Sequence, residues 1–384
     1  MGMKKLNRKV QPHRQGSSNS MKLRFLIPIV LVAASWQLAA QDDPAPDAPP
    51  AESRHDFRYS IAAIDDATVY SDLQVPLPKL LNQLLLEPSF TLRYKPRWSF
   101  SSSLVALADT YTDSYTQLRV KETYAGLSAG DFDFMAGRRI VRWGTGYAFT
   151  ATGVLDPPRI PTNPTDRLNL NEGRDMVKAD YVHGPHAFTL AWSTAALAPA
   201  AANLHDTTAF RYNVLAHGFD TSLIAGDDRG GDAFGGLTFT RVLGQAWELH
   251  GEAAWREHEA ILLGAKYTTH AGVTFIGEFF TPPNIPYYRD MAISPLAPRQ
   301  HYLFLDAGKN RLRERPGWKE WDLGAYVVAN LNDRSYTAIF DATRRFGNHL
   351  STYLHIEIPA GKPTSDYGST PYSTATSLGV RFQL

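Results

Sequence analysis

The chain closes on Ser377-Leu378-Gly379-Val380-Arg381-Phe382-Gln383-Leu384, and this stretch alternates without a break. Successive side chains of a strand point to opposite faces. Leu378, Val380, Phe382 and Leu384 therefore share one face, and Gly379, Arg381 and Gln383 the other. A terminal segment of a soluble protein usually frays into water and gains little from an apolar face. The pattern makes physical sense when hydrocarbon meets the apolar face and a wet lumen meets the polar one.

The same period of two recurs upstream. Phe90, Leu92 and Tyr94 alternate with Thr91, Arg93 and Lys95. Leu118 and Val120 alternate with Arg119 and Lys121, and Phe188, Leu190 and Trp192 with Thr189, Ala191 and Ser193. The cleanest case runs from Trp247 to Trp255, with Leu249, Gly251 and Ala253 between the tryptophans and Glu248, His250 and Glu252 on the opposite face. Tryptophans at both ends fit the two interfacial belts of a bilayer, and a tilted membrane strand needs about 9–11 residues. Ile261-Leu263-Ala265-Tyr267 and Leu350-Leu354-Ile356-Ile358 continue the series.

The connections fall into two classes. Short ones carry the residues that tight hairpins need: Lys95-Pro96-Arg97, Ala129-Gly130-Asp131, His183-Gly184-Pro185, His217-Gly218, Leu243-Gly244, His270-Ala271-Gly272 and Phe346-Gly347-Asn348. The connections between them vary, and the long ones lie at 67–87, 143–174, 197–206, 281–299 and 359–374. Short turns on one side and longer loops on the other are how outer-membrane barrels are built. The spacing predicts an all-β, antiparallel transmembrane barrel over residues 56–384 with about 18 strands. The count falls to 16 if the weak stretches 56–66 and 299–316 are not strands. One segment, Lys79 to Leu86, reads as a helix inside the first long loop.

Composition bounds the function. Hydrophobic residues make up 43% and mean hydropathy is −0.28, which alone suggests a soluble protein. A barrel hides this way, because half of each strand faces its lumen. A net charge of +1 argues against nucleic acid held by a broad positive field. The absence of cysteine excludes a disulfide staple, a lipidated N-terminal cysteine and a thiolate metal site. From Met21 the text runs through Lys22 and Arg24 into an apolar stretch, Phe25 to Ala34, and then Leu38-Ala39-Ala40. That is the layout of a secretory signal peptide, cleaved after Ala40, with Met21 the alternative start. The Pro-, Ala- and Asp-rich residues 41–55 cannot bury a core and are expected to be a flexible periplasmic lead-in.

The terminal stretch resembles the assembly signal of Gram-negative outer-membrane barrels. In that signal a polar residue is followed two positions on by Gly, then by an aromatic and a final apolar residue spaced by one. Ser377, Gly379, Phe382 and Leu384 fill those places. The resemblance implies outer-membrane lipid and the barrel-assembly machinery as partners. Gly137-Arg138-Arg139-Ile140-Val141-Arg142-Trp143-Gly144 and the text on to Asn163-Pro164-Thr165-Asp166 look like the strand-and-loop segment of porin-like and alginate-export-like barrels. The long connection after it is the third outer loop by count, which in general porins folds inward and narrows the pore. The resemblance thus implies an outer-membrane channel for passive diffusion of small hydrophilic solutes, with 143–174 as its constriction.

Four prolines (Pro157, Pro158, Pro161, Pro164) restrict that loop. It carries Asp156, Asp166 and Glu172 beside Arg159, Arg167 and Arg174, with Arg142 just before it; the facing wall offers Arg93, Lys95, Arg119, Lys121, Lys178 and Arg211. Later strands turn acidic at Glu248, Glu252, Glu278, Asp341 and Glu357. Bases on the wall against carboxylates on the loop would set a transverse field across a pore; charges that pair with each other would merely hold the loop. Arg138 and Arg139 break the alternation, which places one of them at a bulge.

Other classes find less support. His250, His355 and Ser351 are not fixed together by any pattern, so no nucleophile, base and orienting group emerge. His183 and His186 flank a Gly-Pro turn without a third ligand, so no metal or other cofactor is implied. A barrel scaffold or export channel serving a partner or polymer is the alternative function. Nothing in the sequence separates a monomer from a homotrimer.

Overall fold

The computed structural model describes residues 55–384 except 76–77, 95–96, 110–115, 158, 197–205, 229–232, 256–258, 283–299 and 311–319. The signal peptide and nearly all of the lead-in lie outside the described residues.

Eighteen antiparallel strands form one sheet. The first nine are β1 (His55–Ser71), β2 (Leu80–Tyr94), β3 (Trp98–Asp109), β4 (Thr116–Ala129), β5 (Phe132–Arg139), β6 (Arg174–His183), β7 (His186–Thr194), β8 (Thr207–Ala216) and β9 (Phe219–Asp228). The second nine are β10 (Ala233–Leu243), β11 (Trp247–Trp255), β12 (Glu259–Thr268), β13 (Val273–Thr281), β14 (Tyr302–Lys309), β15 (Trp321–Asn330), β16 (Ser335–Phe346), β17 (Leu350–Ala360) and β18 (Thr374–Gln383). Each strand pairs with its neighbours in sequence, and β1 closes the ring on β18 from Ala62↔Gln383 to Ser71↔Thr374. Closure leaves no unpaired edge, which is the condition for a sheet to sit in hydrocarbon.

The outward face is the apolar one. Leu118 is 73% exposed and Leu378 61%, and Leu84, Leu190, Leu263 and Trp255 are exposed with them. A continuous apolar girdle of this extent would aggregate in water and is expected of a wall solvated by lipid. In the terminal strand Leu378, Val380, Phe382 and Leu384 point outward. Ser377 faces in and is hydrogen-bonded at 2.7 Å to Thr68 Oγ1. Gly379 has a packing reason: a Cβ there would lie 2.1 Å from the Tyr353 ring of β17, so only glycine lets that ring lie against β18.

Three expectations change. Lys79 to Leu86 is not a helix: β2 begins at Leu80 and pairs along its length with β1, from Val69↔Leu80 to His55↔Tyr94. Leu80, Leu84 and Leu86 are outward while Leu85 is buried inside, so pairing overrode a leucine spacing that also suits a helix. The first outer connection is accordingly 72–79 rather than 67–87. The bulge lies neither at Arg138 nor at Arg139. Both keep register with β6, and the shift is on β4 opposite Ser103/Leu104, where Lys121 is the extra residue. The connection 310–320 is long although it lies on the short-turn side.

Candidate functional site

The third outer connection, 140–173, leaves the wall after Arg139 and returns at Arg174. It lies within the barrel and meets the wall in three apolar clusters. Ala148 and Phe149 pack with Leu262, Phe280, Tyr302 and Phe304 of β12–β14. Trp143 and Leu155 pack with Ala191, Ala209, Ile224 and Phe234 of β7–β10. Leu168 and Leu170 pack with Ile64, Leu85, Val105 and Leu107 of β1–β3. Lumen-facing positions of a wide barrel are ordinarily polar; here the apolar ones are those the loop covers.

The polar anchor is more specific. The Glu252 carboxylate of β11 is 3% exposed and is ringed by the loop's backbone. Its Oε1 accepts from the N–H of Thr145 (2.5 Å) and Gly146 (2.9 Å). Its Oε2 accepts from the N–H of Ala151 (2.7 Å) and Thr152 (2.8 Å). The hydroxyls of Thr145, Thr150 and Thr152 donate to the same carboxylate. Glu278 of β13, 1% exposed, does the same for the turn between them. It accepts from the N–H groups of Tyr147, Ala148 (2.9 Å) and Phe149 (3.3 Å), and pairs with His250 Nε2 at 3.0 Å. Successive N–H groups folded around an anion form a nest. Here the wall supplies the anions and the loop supplies the nest. Tyr147 adds a side-chain tie: its hydroxyl donates to Glu248 (2.9 Å) and accepts from Lys266 (3.0 Å).

The residues expected at the constriction take three kinds of position. Some hold the loop to itself. Asp156, 1% exposed, accepts from the N–H of Trp143 (2.6 Å) and Gly144 (3.3 Å) and faces Arg159, whose Nη2 donates to Gly144 O. Burial pushes the Asp156 carboxyl above the ordinary carboxylate range, offset in part by the Trp143 N–H and Arg159. Asp166, at φ 48°, accepts from the N–H of Leu170 and Asn171 and so shapes a turn. Arg174, the first residue of β6, instead ties the wall to the loop by donating to Val154 O at 2.7 Å.

Others tie the loop to the wall or the wall to itself. Arg167 bonds Asp66 of β1 and lies over the Tyr353 ring. Lys121 pairs with Glu87 of β2 at 3.1 Å, and Asn169 of the loop donates to the same carboxylate. Lys178 pairs with Asp180. Arg93 and Arg142 are exposed. The expected polarity, bases on the wall and carboxylates on the loop, holds for Arg119 with Glu172 at 3.2 Å. At the main anchors it is reversed: Asp66, Glu87, Glu252 and Glu278 of the wall receive donors from the loop. Sequence reading placed Glu252 and Glu278 in an acidic arc but did not single them out. The signal was the run Thr145-Gly146 to Thr152-Gly153, rich in hydroxyls and free of the regular pairing that would occupy its N–H groups.

One ion chain passes through the wall. Arg119 shares the lumen face with Val105, whereas Arg138 is in register with outward Thr123 and Asp175. Glu172 lies 3.2 Å from Arg119 and 3.9 Å from Arg138, and Arg138 in turn bonds Asp175 at 2.6 and 3.0 Å and Val120 O at 3.2 Å. The chain fills the gap left where β5 stops after eight residues while β4 continues.

No protein-family model matches the sequence, and no curated protein does. Solved structures do match in fold. Pseudomonas aeruginosa OccK11 (OpdR) aligns with a TM-score of 0.59 at 11% identity over 85% of this chain and 96% of that one. Pseudomonas aeruginosa OccK5 (OpdH) aligns with a TM-score of 0.58 at 9% identity over 86% and 98%. A mutant of the Rh. blastica porin aligns with a TM-score of 0.50 at 11% identity over 85% and 100%. The comparisons lend nothing to the alginate-export resemblance; the fold they support is porin-like, and the closed ring of eighteen antiparallel strands is read from this chain's own pairing.

Proposed function

We propose that the chain is an outer-membrane channel for passive passage of small hydrophilic solutes, with loop 140–173 as its constriction. The observation that carries this reading is the double carboxylate anchor, which fixes an otherwise irregular segment at one depth inside a barrel with an apolar outer wall. A loop held by side chains alone would fluctuate; one whose backbone N–H groups are spent on Glu252 and Glu278 has few alternatives. The neighbours named above are porins and channels, which accords with diffusion rather than catalysis. The reading includes export by the N-terminal signal, insertion from the periplasm by the assembly machinery, and a lipid-solvated wall.

We also propose that a second copy of the chain covers the outer face of β4 and β5 and the loop-side end of β6 at Asp175, clear of the rest of β6. The Arg138–Asp175 pair lies on that face at the loop-side end of the strands, where a charged side chain facing lipid costs up to about 1 kcal/mol. Planar-bilayer recording tests the channel: steady open conductance is expected, and silence from folded protein would refute it.

A further inference from the structure

We propose that the outer wall at β6–β9 holds one phospholipid of the periplasmic leaflet, its acyl chain in an aromatic groove and its phosphate at two imidazoles. The groove measures about 550 Å³ and is lined by Tyr181, His183, His186, Phe188, Phe210, Tyr212 and their neighbours Leu223 and Ala225. It has a local cause. On the outward face Ala225 stands in register with Phe210, so one small residue sets the floor while aromatic rings form the sides. Tyr181 meets Phe188 at 6.2 Å, Phe188 meets Tyr212 at 5.0 Å, and Tyr212 meets His186 at 5.9 Å. The rings brace one another, which keeps the groove from collapsing.

Position selects the occupant. Val177, Leu190 and Trp192 on the same face are exposed, so hydrocarbon surrounds the groove and an acyl chain is what fills it. From Leu190, the partner of Phe210, down to His186 the groove spans four residues, roughly 13 Å at the strand rise. Its lower end is the turn that joins β6 to β7, where His183 and His186 are partners in register. That end is the headgroup level of the periplasmic leaflet. His186 Nδ1 is bonded to the Tyr212 hydroxyl at 2.8 Å, which fixes the ring and leaves Nε2 to face the headgroup. His183 is 73% exposed, with Asp131 3.5 Å from its Nδ1. A greasy slot ending in imidazoles at the interface has the amphipathic layout of a phospholipid.

The inference rests on the membrane placement proposed above, and the test separates the two. Purified full-length protein is washed in detergent and analysed by native mass spectrometry with added phosphatidylglycerol, phosphatidylethanolamine or diacylglycerol. Wild type is expected to keep one phospholipid per chain after bulk lipid is removed. Ala225→Phe, which fills the floor, is expected to lose it at least tenfold while heat-modifiable migration and conductance stay unchanged. His183→Ala with His186→Ala is expected to abolish the preference for either phospholipid over diacylglycerol. Wild type without a retained phospholipid, equal retention in Ala225→Phe, or a change of oligomeric state in that variant with lipid unchanged would each overturn the proposal. Loss of conductance in wild type would instead strike the channel reading.

Discussion

Replacing Glu252 by alanine tests how loop 140–173, the proposed constriction, is held. The change removes the acceptor of four backbone N–H groups and three threonine hydroxyls. A buried donor left without a partner costs about 1–3 kcal/mol. The hydroxyls can turn to other acceptors, but the four N–H groups cannot, so at the low end the docked loop loses about 4 kcal/mol. At about 1.4 kcal/mol per factor of ten, its docked-to-undocked ratio falls nearly a thousandfold. The wall is untouched, because the β11 backbone remains paired to β10 and β12. The expected result is a folded barrel with larger, noisier single-channel conductance and new protease cuts within 140–173. Glu252→Gln should fall on the same side. One carboxylate oxygen becomes an NH2 group that faces two backbone donors, so half the anchor turns repulsive. Conductance and cleavage unchanged in both variants would refute the argument that the nest around Glu252 fixes the loop.

Three further outcomes are expected. Because Asp156 holds its proton more tightly in the docked loop than in water, docking binds a proton. The Asp156 contribution to docking is therefore fully present below the ordinary carboxylate value and is lost as pH rises through the raised one. Conductance should rise with pH across that window, and Asp156→Asn should flatten the dependence; an unchanged profile in the variant would assign it elsewhere. Gly173→Ala should weaken the neck of the loop, since a Cβ would lie 2.4 Å from the Arg139 backbone and something must shift; lower apparent stability by heat-modifiable migration checks it, and equal migration would show that the neck gives way freely. Arg138→Leu with Asp175→Leu should dissociate the proposed oligomer in light-scattering measurements, while monomer from the start would remove the second copy from the picture.

The strands were legible because a barrel wall writes its two solvents into alternate letters, as from Trp247 to Trp255. Lys79 to Leu86 misled because leucines at 80, 81, 84 and 85 satisfy both periods. Only the pairing with β1, which is not local, decides between them. The lumen charges were legible as a class, and Arg119 with Glu172 followed the expected polarity. The anchor was not legible for a physical reason. Its donors are backbone N–H groups, which every residue but proline has, and its acceptors lie about a hundred residues downstream. Charge letters therefore pointed to Arg159, Asp156 and Asp166, which the loop uses largely on itself.

That difference determines what a passing ion feels. A carboxylate beside its own cation contributes mostly a dipole to the lumen, and a dipole's field dies away faster than a charge's. Lys121 with Glu87, Arg167 with Asp66 and Lys178 with Asp180 are all spent in this way. Exposed Arg142, on the loop between buried Trp143 and half-buried Val141, is not. The proposed channel should therefore discriminate weakly between anions and cations, and the bias it has should come from the exposed arginines. Arg142→Glu is expected to shift the zero-current potential in a salt gradient toward cation preference. Lys178→Gln combined with Asp180→Asn removes two charges yet should shift it little. If the paired variant moved the potential as far as Arg142→Glu did, the lumen charges would be acting singly, and selectivity would have to be reckoned from all of them rather than from the few left exposed.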